Sequence, residues 1–156
     1  LQDLPLGKNE ISCVATSSNG ATISYTTSIT LNGDFDYNTL YSGQGGYKQN
    51  NLIILPRNGV QYGPYYKTLK GCYKVEINGS NLDLTDNLFS YENISGTNYH
   101  LNLLSKTGTS DKIIYYINPD EDKITSGLEF HYRNMRDIQA VINNVTVTYQ
   151  DSCPVE

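Results

Sequence analysis

Four Asn-Gly pairs divide this chain into short segments, and they constrain its fold more than any other feature of the sequence. The pairs begin at Asn19, Asn32, Asn58 and Asn78. Asn-Gly favours tight turns with positive φ, and here each pair lies between short runs of β-branched and aromatic residues. The spacing therefore predicts a many-stranded antiparallel protein built from hairpins.

The runs between the turns predict strands because apolar and polar residues alternate within them. The alternation is clearest around Tyr73, Val75 and Ile77, which would share one face. The predicted strands are residues 11–16, 22–31, 51–55, 71–78, 89–92, 99–105, 112–117, 126–132 and 138–149. Residues 83–89 and 134–138 are long enough for a helical turn only. We predict an all-β antiparallel sandwich, jelly-roll-like, with about eight to ten strands.

The chain is expected to form one domain from residue 1 to residue 156, with residues 1–9 as a loose lead-in. No internal repeat or linker divides it. The glycine-rich segment 41–49 is predicted to be a long flexible loop. The chain starts at Leu1 without an apolar leader, so we expect either a mature secreted protein or an excised domain.

The net charge and the distribution of basic residues indicate which kinds of partner this chain is suited to bind. The net charge is -5, and the 11 basic residues are scattered, so no basic patch is present to bind nucleic acid or an anionic membrane surface. No apolar run approaches the roughly 18 residues of a membrane span, which predicts no membrane insertion. A glycan or a surface protein fits this composition better, and we expect a secreted or cell-surface location.

Three cysteines, Cys13, Cys72 and Cys153, are widely spaced, which argues against a zinc site. Cys13 lies in the first predicted strand and Cys153 follows the last one. Because sandwiches often place their terminal strands side by side, we predict a Cys13–Cys153 disulfide, with three free thiols as the alternative. Cys72 is predicted to pack as a small hydrophobic residue.

No catalytic constellation is evident. His100 and His131 both lie in predicted strands, where a structural role is the simpler interpretation. Acidic residues cluster at 34–36, at 83–86 and at 120–122, where they are either calcium ligands or ordinary solvated turns. We predict a protein that is not an enzyme and has no cofactor, leaving calcium open and a small glycan-active enzyme as the alternative.

The 14 tyrosines are the sharper clue to function. Tyrosine combines an apolar ring with a polar tip, which matches the C–H faces and hydroxyls of a sugar. Strand preference alone is the other explanation for these residues, and the absence of Trp argues against strong sugar stacking. The predicted ligand-binding residues are Tyr41, Tyr47, Tyr62, Tyr65 and Tyr66, with Asp34, Asp36 and Asn58 as hydrogen-bonding partners.

Segments NGVQYGPY at 58–65 and LKGCYKVEI at 69–77 resemble jelly-roll accessory domains associated with bacterial surface-polysaccharide proteins. Segments GLEF at 127–130 and IQAVINNVTV at 138–147 look like the final two strands of such a domain. The resemblance covers about residues 50–150. It implies a jelly roll with sites on the concave sheet or rim loops, and glycan binding as the commonest role.

Two functions follow as hypotheses. The first is a non-catalytic carbohydrate-binding module, in which the tyrosines form a platform for a glycan. The second is a protein-interaction or structural module of a surface protein, such as an adhesin, pilus or phage-fibre domain, with the same tyrosines as interface anchors.

Overall fold

Fifteen strands make up the regular structure of the computed structural model, which describes residues 4–63, 65–94, 97–101 and 103–154. The described residues form no helix, and hence none that could cross a membrane. The strands are β1 (Gly7–Thr16), β2 (Thr22–Leu31), β3 (Gly33–Phe35), β4 (Tyr41–Gly43), β5 (Tyr47–Gln49), β6 (Leu52–Leu55), β7 (Val60–Tyr62), β8 (Tyr66–Thr68), β9 (Cys72–Ser80), β10 (Asn87–Ile94), β11 (Thr97–Leu101), β12 (Leu103–Gly108), β13 (Lys112–Ile117), β14 (Lys123–Arg133) and β15 (Ala140–Gln150).

The strands form two antiparallel sheets packed against each other and a separate ribbon. One sheet has the order β12-β13-β9-β15-β6-β5, with β3 also paired to β15. The other has the order β11-β10-β14-β7-β4, with β8 also paired to β14. Strands β1 and β2 pair only with each other. The predicted all-β sandwich is confirmed, and its strand count exceeds the prediction because five strands are only three residues long.

The core lies between the two sheets, where alternate residues of each strand meet. Tyr73, Val75 and Ile77 of β9 are fully buried, as the alternation predicted. From the facing sheet, Phe130 stacks on Phe35 with ring centroids 6.5 Å apart. The other large, fully buried side chains of the core are Tyr115, Tyr132, Leu6, Leu40, Ile53, Leu55, Ile113, Ile117 and Leu128.

The outer face of the seven-stranded sheet is mixed, with charged and hydroxyl side chains beside Ile114 and Tyr116. Glu76 of β9 accepts hydrogen bonds from Lys74 at 2.8 Å and from Lys112 at 2.7 Å. These hydrogen bonds lower the pKa of the Glu76 carboxyl. Thr146 and Thr148 of β15 lie opposite Glu76 and Lys74. Such a face is ordinary for a solvated antiparallel sheet.

The disulfide joins Cys72 to Cys153, so the predicted Cys13–Cys153 bridge is wrong. Strand β15 pairs with β9, and its last residue, Gln150, lies opposite Cys72. The chain therefore needs only three more residues to bring Cys153 within a Cα–Cα distance of 5.3 Å of Cys72. Cys72 is buried as predicted, but bonded, and Cys13 is an exposed free thiol on β1.

Part of the predicted lead-in belongs to the core. Leu6 is 2% exposed, and its backbone forms a parallel bridge with Thr68. Strand β1 begins directly afterwards at Gly7, while residues 1–3 lie outside the described residues. The segment predicted to be one long loop, 41–49, contains the two short strands β4 and β5.

The Asn-Gly pairs do not all form turns. Gly20 and Asn58 have positive φ, of 84° and 64°, in the connections where turns were predicted. Gly79, however, lies inside β9, where β15 passes so close that a Cβ would be 1.9 Å from the carbonyl oxygen of Val141. This glycine therefore permits close strand approach at a bulge in β15.

Candidate binding site

A row of aromatic side chains crosses the outer face of the six-stranded sheet. Strands β4, β7, β14 and β10 lie side by side, and their register places Tyr41 opposite Tyr62, and His131 opposite both Tyr62 and Phe89. Residues directly opposite each other in antiparallel strands have Cβ atoms about 4.5–5.5 Å apart. Four rings from four strands are therefore brought into one line.

These four rings are stacked along the line. The centroid distances are 5.5 Å from Tyr41 to Tyr62, 5.7 Å from Tyr62 to His131 and 4.4 Å from His131 to Phe89. The interplanar angles are 19°, 16° and 19° in the same order. Offset stacking of this kind is a favourable arrangement of aromatic rings, and each ring limits the rotation of the next.

Three further rings extend the line. Tyr91 lies 4.6 Å from His131 and 6.0 Å from His100 of β11, and Tyr65 meets Tyr91 edge to face at 6.1 Å. Five neighbouring strands contribute, so the line spans about 19 Å at the usual strand spacing. We call this set the aromatic row; its members are Tyr41, Tyr62, Tyr65, Phe89, Tyr91, His100 and His131.

The alternation of β14 explains why His131 lies in this row. Phe130 and Tyr132 are buried in the core, so Glu129 and His131 must point to the opposite face of the strand. Both are nevertheless almost inaccessible, at 5% and 6% exposure: rings stack on both sides of His131, and Glu129 is hydrogen-bonded to His131 and Tyr91. The row therefore contains a buried polar pair, Glu129 and His131.

Glu129 is the acceptor for two members of the row. The Nε2 atom of His131 lies 2.9 Å from Oε2 of Glu129, and the phenol of Tyr91 also bonds the Glu129 carboxylate. Burial lowers the pKa of the His131 imidazole, and Glu129 only partly opposes this effect. Burial raises the pKa of Tyr91, and the bond to Glu129 raises it further. Both aromatic groups are therefore neutral hydrogen-bond donors at pH 7.

Two basic side chains lie at the Tyr41 end. Lys48 has its ammonium 5.5 Å from the ring centroid of Tyr41 and 4.8 Å from that of Tyr37. Arg133 follows His131 by two residues on β14 and donates a hydrogen bond to Gln44 in the β4–β5 connection. This end of the row therefore carries positive charge next to ring surface.

The structure brings together three of the predicted ligand-binding residues, Tyr41, Tyr62 and Tyr65. Tyr41 and Tyr65 leave 47% and 44% of their surface accessible. Tyr65 also donates a hydrogen bond from its hydroxyl to that of Tyr91, at 3.3 Å. The rim of the row thus presents ring surface together with phenol hydroxyls.

The other predicted residues lie elsewhere. Tyr66 packs against the core, with its ring 5.3 Å from Phe35, and Tyr47 belongs to the seven-stranded sheet. Asp34 accepts a hydrogen bond from Asn144, and Asp36 accepts one from the backbone N–H of Asn38 in the following turn. Asn58 occupies the β6–β7 turn. In the described part of the chain, none of these side chains forms a hydrogen bond or a ring contact with the aromatic row.

Four members of the row, Phe89, Tyr91, His100 and His131, were not predicted to bind a ligand. The alternation within each strand could have indicated them. Phe89 and Tyr91 point to the same face of β10, and His131 points to the face of β14 opposite to that of Phe130 and Tyr132. The sequence does not show which strands are paired. It is the pairing of β4, β7, β14, β10 and β11 that brings these side chains into one row.

The acidic pairs considered as calcium ligands are engaged by protein groups. Asp86 is buried and accepts hydrogen bonds from Tyr132 and Arg136, while Asp83 accepts two from Thr85. Asp122 accepts one from the backbone N–H of Lys70. Among the described residues, no three His, Cys, Asp or Glu side chains are grouped as metal ligands.

Comparisons with protein family models, with curated proteins and with solved structures found no significant match to this chain.

Proposed function

We propose that this protein is a non-catalytic carbohydrate-binding module that holds a glycan along the aromatic row. The observation that carries the proposal is the register of five strands, which aligns six rings on one outer face, with Tyr65 of the β7–β8 connection beside them. Such an alignment is not required for packing the core, because these side chains point away from it. Outward ring surface of this extent is typical of binding sites.

The chemistry of the row suits a sugar. Apolar C–H faces of a sugar can rest on the accessible surface of Tyr41 and Tyr65, and sugar hydroxyls can exchange hydrogen bonds with the phenols. Arg133 and Lys48 add donors at one end. Because that end is cationic, a glycan carrying a carboxylate or sulfate group is favoured over a neutral one.

The disulfide is in keeping with a secreted or cell-surface location, since such bonds persist in oxidising compartments. A surface location would also give a binding module access to extracellular or cell-wall glycans.

A glycan array with the purified protein tests this function. We expect hits that are lost in Tyr65→Ala, because Tyr65 is exposed on the rim of the row and its removal leaves the core intact. A flat array with folded wild-type protein, across neutral and acidic glycans, would reject the proposal.

A protein-interaction module is the second candidate, and the β1–β2 ribbon favours it. The ribbon is a separate two-stranded sheet with large apolar side chains in solvent, including Ile23 and Tyr25. The two roles occupy different surfaces and do not exclude each other.

A further inference from the structure

The side chain of Arg133 extends across two strands to the edge of the six-stranded sheet. Arg133 lies opposite Val60 of β7, and Val60 lies opposite Gly43 of β4. Neighbouring strands are about 4.8 Å apart, and the guanidinium crosses this distance over two small residues to donate its hydrogen bond to Gln44. Tyr41 precedes Gly43 by two residues on the same face of β4. The guanidinium is therefore held beside the Tyr41 end of the aromatic row.

The β4–β5 turn presents Gln44 to this guanidinium from an unusual backbone conformation. Gln44 has a φ of 52° and Gly45 a φ of 89°. Positive φ is uncommon for residues other than glycine and asparagine, because Cβ comes too close to the backbone. Conformations of this kind are concentrated at ligand sites. The turn thus accepts a conformational cost at the residue that holds Arg133 in place.

The charge of Arg133 is not neutralised by the protein. The other two arginines, Arg57 and Arg136, both form ion pairs with aspartates. None of the ion pairs among the described residues includes Arg133. Its hydrogen bond goes to the neutral amide of Gln44, and its Nε atom is buried without a partner. Arg133 is thus fixed in position with its charge available to an anion.

Lys48 brings a second cation to the same end of the row. Its ammonium lies 5.5 Å from the ring centroid of Tyr41, and it donates a hydrogen bond to the backbone carbonyl of Tyr37. Within the described ranges, Lys48 also takes part in no ion pair. The protein as a whole has a net charge of -5, so acidic residues are in excess over basic ones. Two cations without carboxylate partners beside one exposed ring form a site for an anionic group.

Given the glycan-binding function proposed above, on which this assignment rests, we propose that Arg133 recognises the carboxylate of an acidic sugar stacked on Tyr41. Tyr41 is 47% exposed and offers ring surface to the apolar face of the sugar. The planar guanidinium matches the two oxygens of a carboxylate, and Lys48 adds a point charge. Arg133 is therefore the residue that determines specificity for an acidic sugar.

The position of the charge within the sugar favours a uronic acid. In a uronic acid the carboxylate is bonded directly to a carbon of the sugar ring, so a ring stacked on Tyr41 holds this group beside Arg133. A sulfate ester is joined through a further oxygen atom, which places its charge farther from the ring and lets it rotate. The other sugars of the chain then extend along the aromatic row toward Tyr65.

Glycans that differ only at the carboxylate test this assignment. The array carries uronic-acid oligosaccharides, the same oligosaccharides after reduction of each carboxylate to a primary alcohol, and sulfated oligosaccharides. We expect the wild-type protein to bind the best uronic-acid ligand at least about tenfold more tightly than its reduced form, because hydrogen bonds to a charged group are lost. The sulfated oligosaccharides should bind more weakly than the best uronic-acid ligand.

Substitution of Arg133 tests the residue itself. In titration calorimetry, Arg133→Gln should weaken binding of the best uronic-acid oligosaccharide at least about tenfold, and change binding of its reduced form less than about twofold. Arg133→Lys keeps the charge without the planar group and should recover only part of the loss. Arg57→Gln removes the same charge from an arginine that is paired with Asp137, and as the matched control it should change both affinities less than about twofold.

Retained binding of the reduced form shows that Arg133→Gln is folded, and circular dichroism checks this for each variant. Equal binding of the uronic-acid ligands and their reduced forms by the wild-type protein overturns the role of Arg133 and leaves the glycan-binding function standing. A preference for sulfated oligosaccharides overturns it as well, as does wild-type affinity for the uronic-acid ligand in Arg133→Gln. A flat array, in contrast, rejects the glycan-binding function and the role of Arg133 together.

Discussion

Glu129 and His131 lie two residues apart on β14, and the Nε2 atom of His131 is 2.9 Å from Oε2 of Glu129. A spacing of two places both side chains on one face of the strand. Rings from β7 and β10 stack on either side of the imidazole, at 5.7 Å for Tyr62 and 4.4 Å for Phe89. The protonation state of His131 therefore acts directly on the stacked rings of the aromatic row.

We expect acid to destabilise the protein because it protonates the buried His131. Burial keeps the pKa of folded His131 below its ordinary value, so the unfolded state binds a proton more readily. The contribution of His131 is fully present above about pH 6.5, and it is lost as the pH falls from there through the pKa of the folded state. Urea unfolding between about pH 7.5 and pH 5 measures the slope.

His131→Gln should flatten that slope relative to wild type, because Gln takes up no proton. His100→Gln replaces the exposed histidine on β11, whose charge also opposes protonation of His131, and it should change the slope less than His131→Gln does. Parallel profiles for wild type and His131→Gln would contradict the predicted role.

A comparison of two equally exposed tyrosines tests whether glycan binding depends on the aromatic row or on any exposed tyrosine. Tyr41 is 47% exposed in the row, and Tyr47 is 46% exposed on the other sheet. Tyr41→Ala should weaken binding of an array-identified glycan by about three- to tenfold, corresponding to about 0.5–1.5 kcal/mol for an aromatic contact. Titration calorimetry measures both variants, and an equal loss in Tyr47→Ala would point away from the row.

The disulfide should stabilise the sandwich. It closes a loop with a sequence separation of 81 residues, and linking β9 to the segment after β15 restricts the unfolded chain. Cys153→Ser is expected to lower the free energy of unfolding by about 2–4 kcal/mol. Cys13→Ser is the control, and it should leave the free energy of unfolding unchanged because Cys13 is exposed and unbonded. A larger loss in Cys13→Ser than in Cys153→Ser would be inconsistent with this pairing.

A buried ion pair ties β14 to β10. The ammonium of Lys123 is 3.1 Å from Oε2 of Glu92, with both side chains less than a tenth exposed. Lys123→Met removes this buried ion pair and should cost more than about 1 kcal/mol of unfolding free energy, because both groups are shielded from water. Glu121→Gln removes the second, 72% exposed carboxylate on Lys123 and should cost less than about 1 kcal/mol. Thermal or urea denaturation compares the two, and similar losses would argue against the importance of burial.

Local pattern predicted much of the fold. The alternation around Tyr73, Val75 and Ile77 gave the buried face of β9, and the runs at 22–31 and 112–117 match β2 and β13 residue for residue. The short strands were missed because three residues are too few to establish a period of two. The predicted strand at 99–105 is divided between β11 and β12, which belong to different sheets, and alternation alone does not reveal such a change of sheet.

Local pattern failed where partners are distant in the chain. Cys13 and Cys153 were paired on the expectation that the terminal strands are adjacent, but β1 pairs with β2, while β15 pairs with β9 and brings Cys153 to Cys72. Tyr66 was grouped with Tyr62 and Tyr65 because they are close in sequence. Its strand pairs with β14, and its ring turns to Phe35 and the core.

The sequence by itself determined that this chain folds as antiparallel β-sheets, because alternation and turn chemistry act over a few residues. Only the tertiary structure decided which strands are neighbours and in what register. That choice depends on burying both inner faces at once, and it aligns Tyr41, Tyr62, His131 and Phe89 from four separate segments. It also leaves the apolar face of the β1–β2 ribbon uncovered.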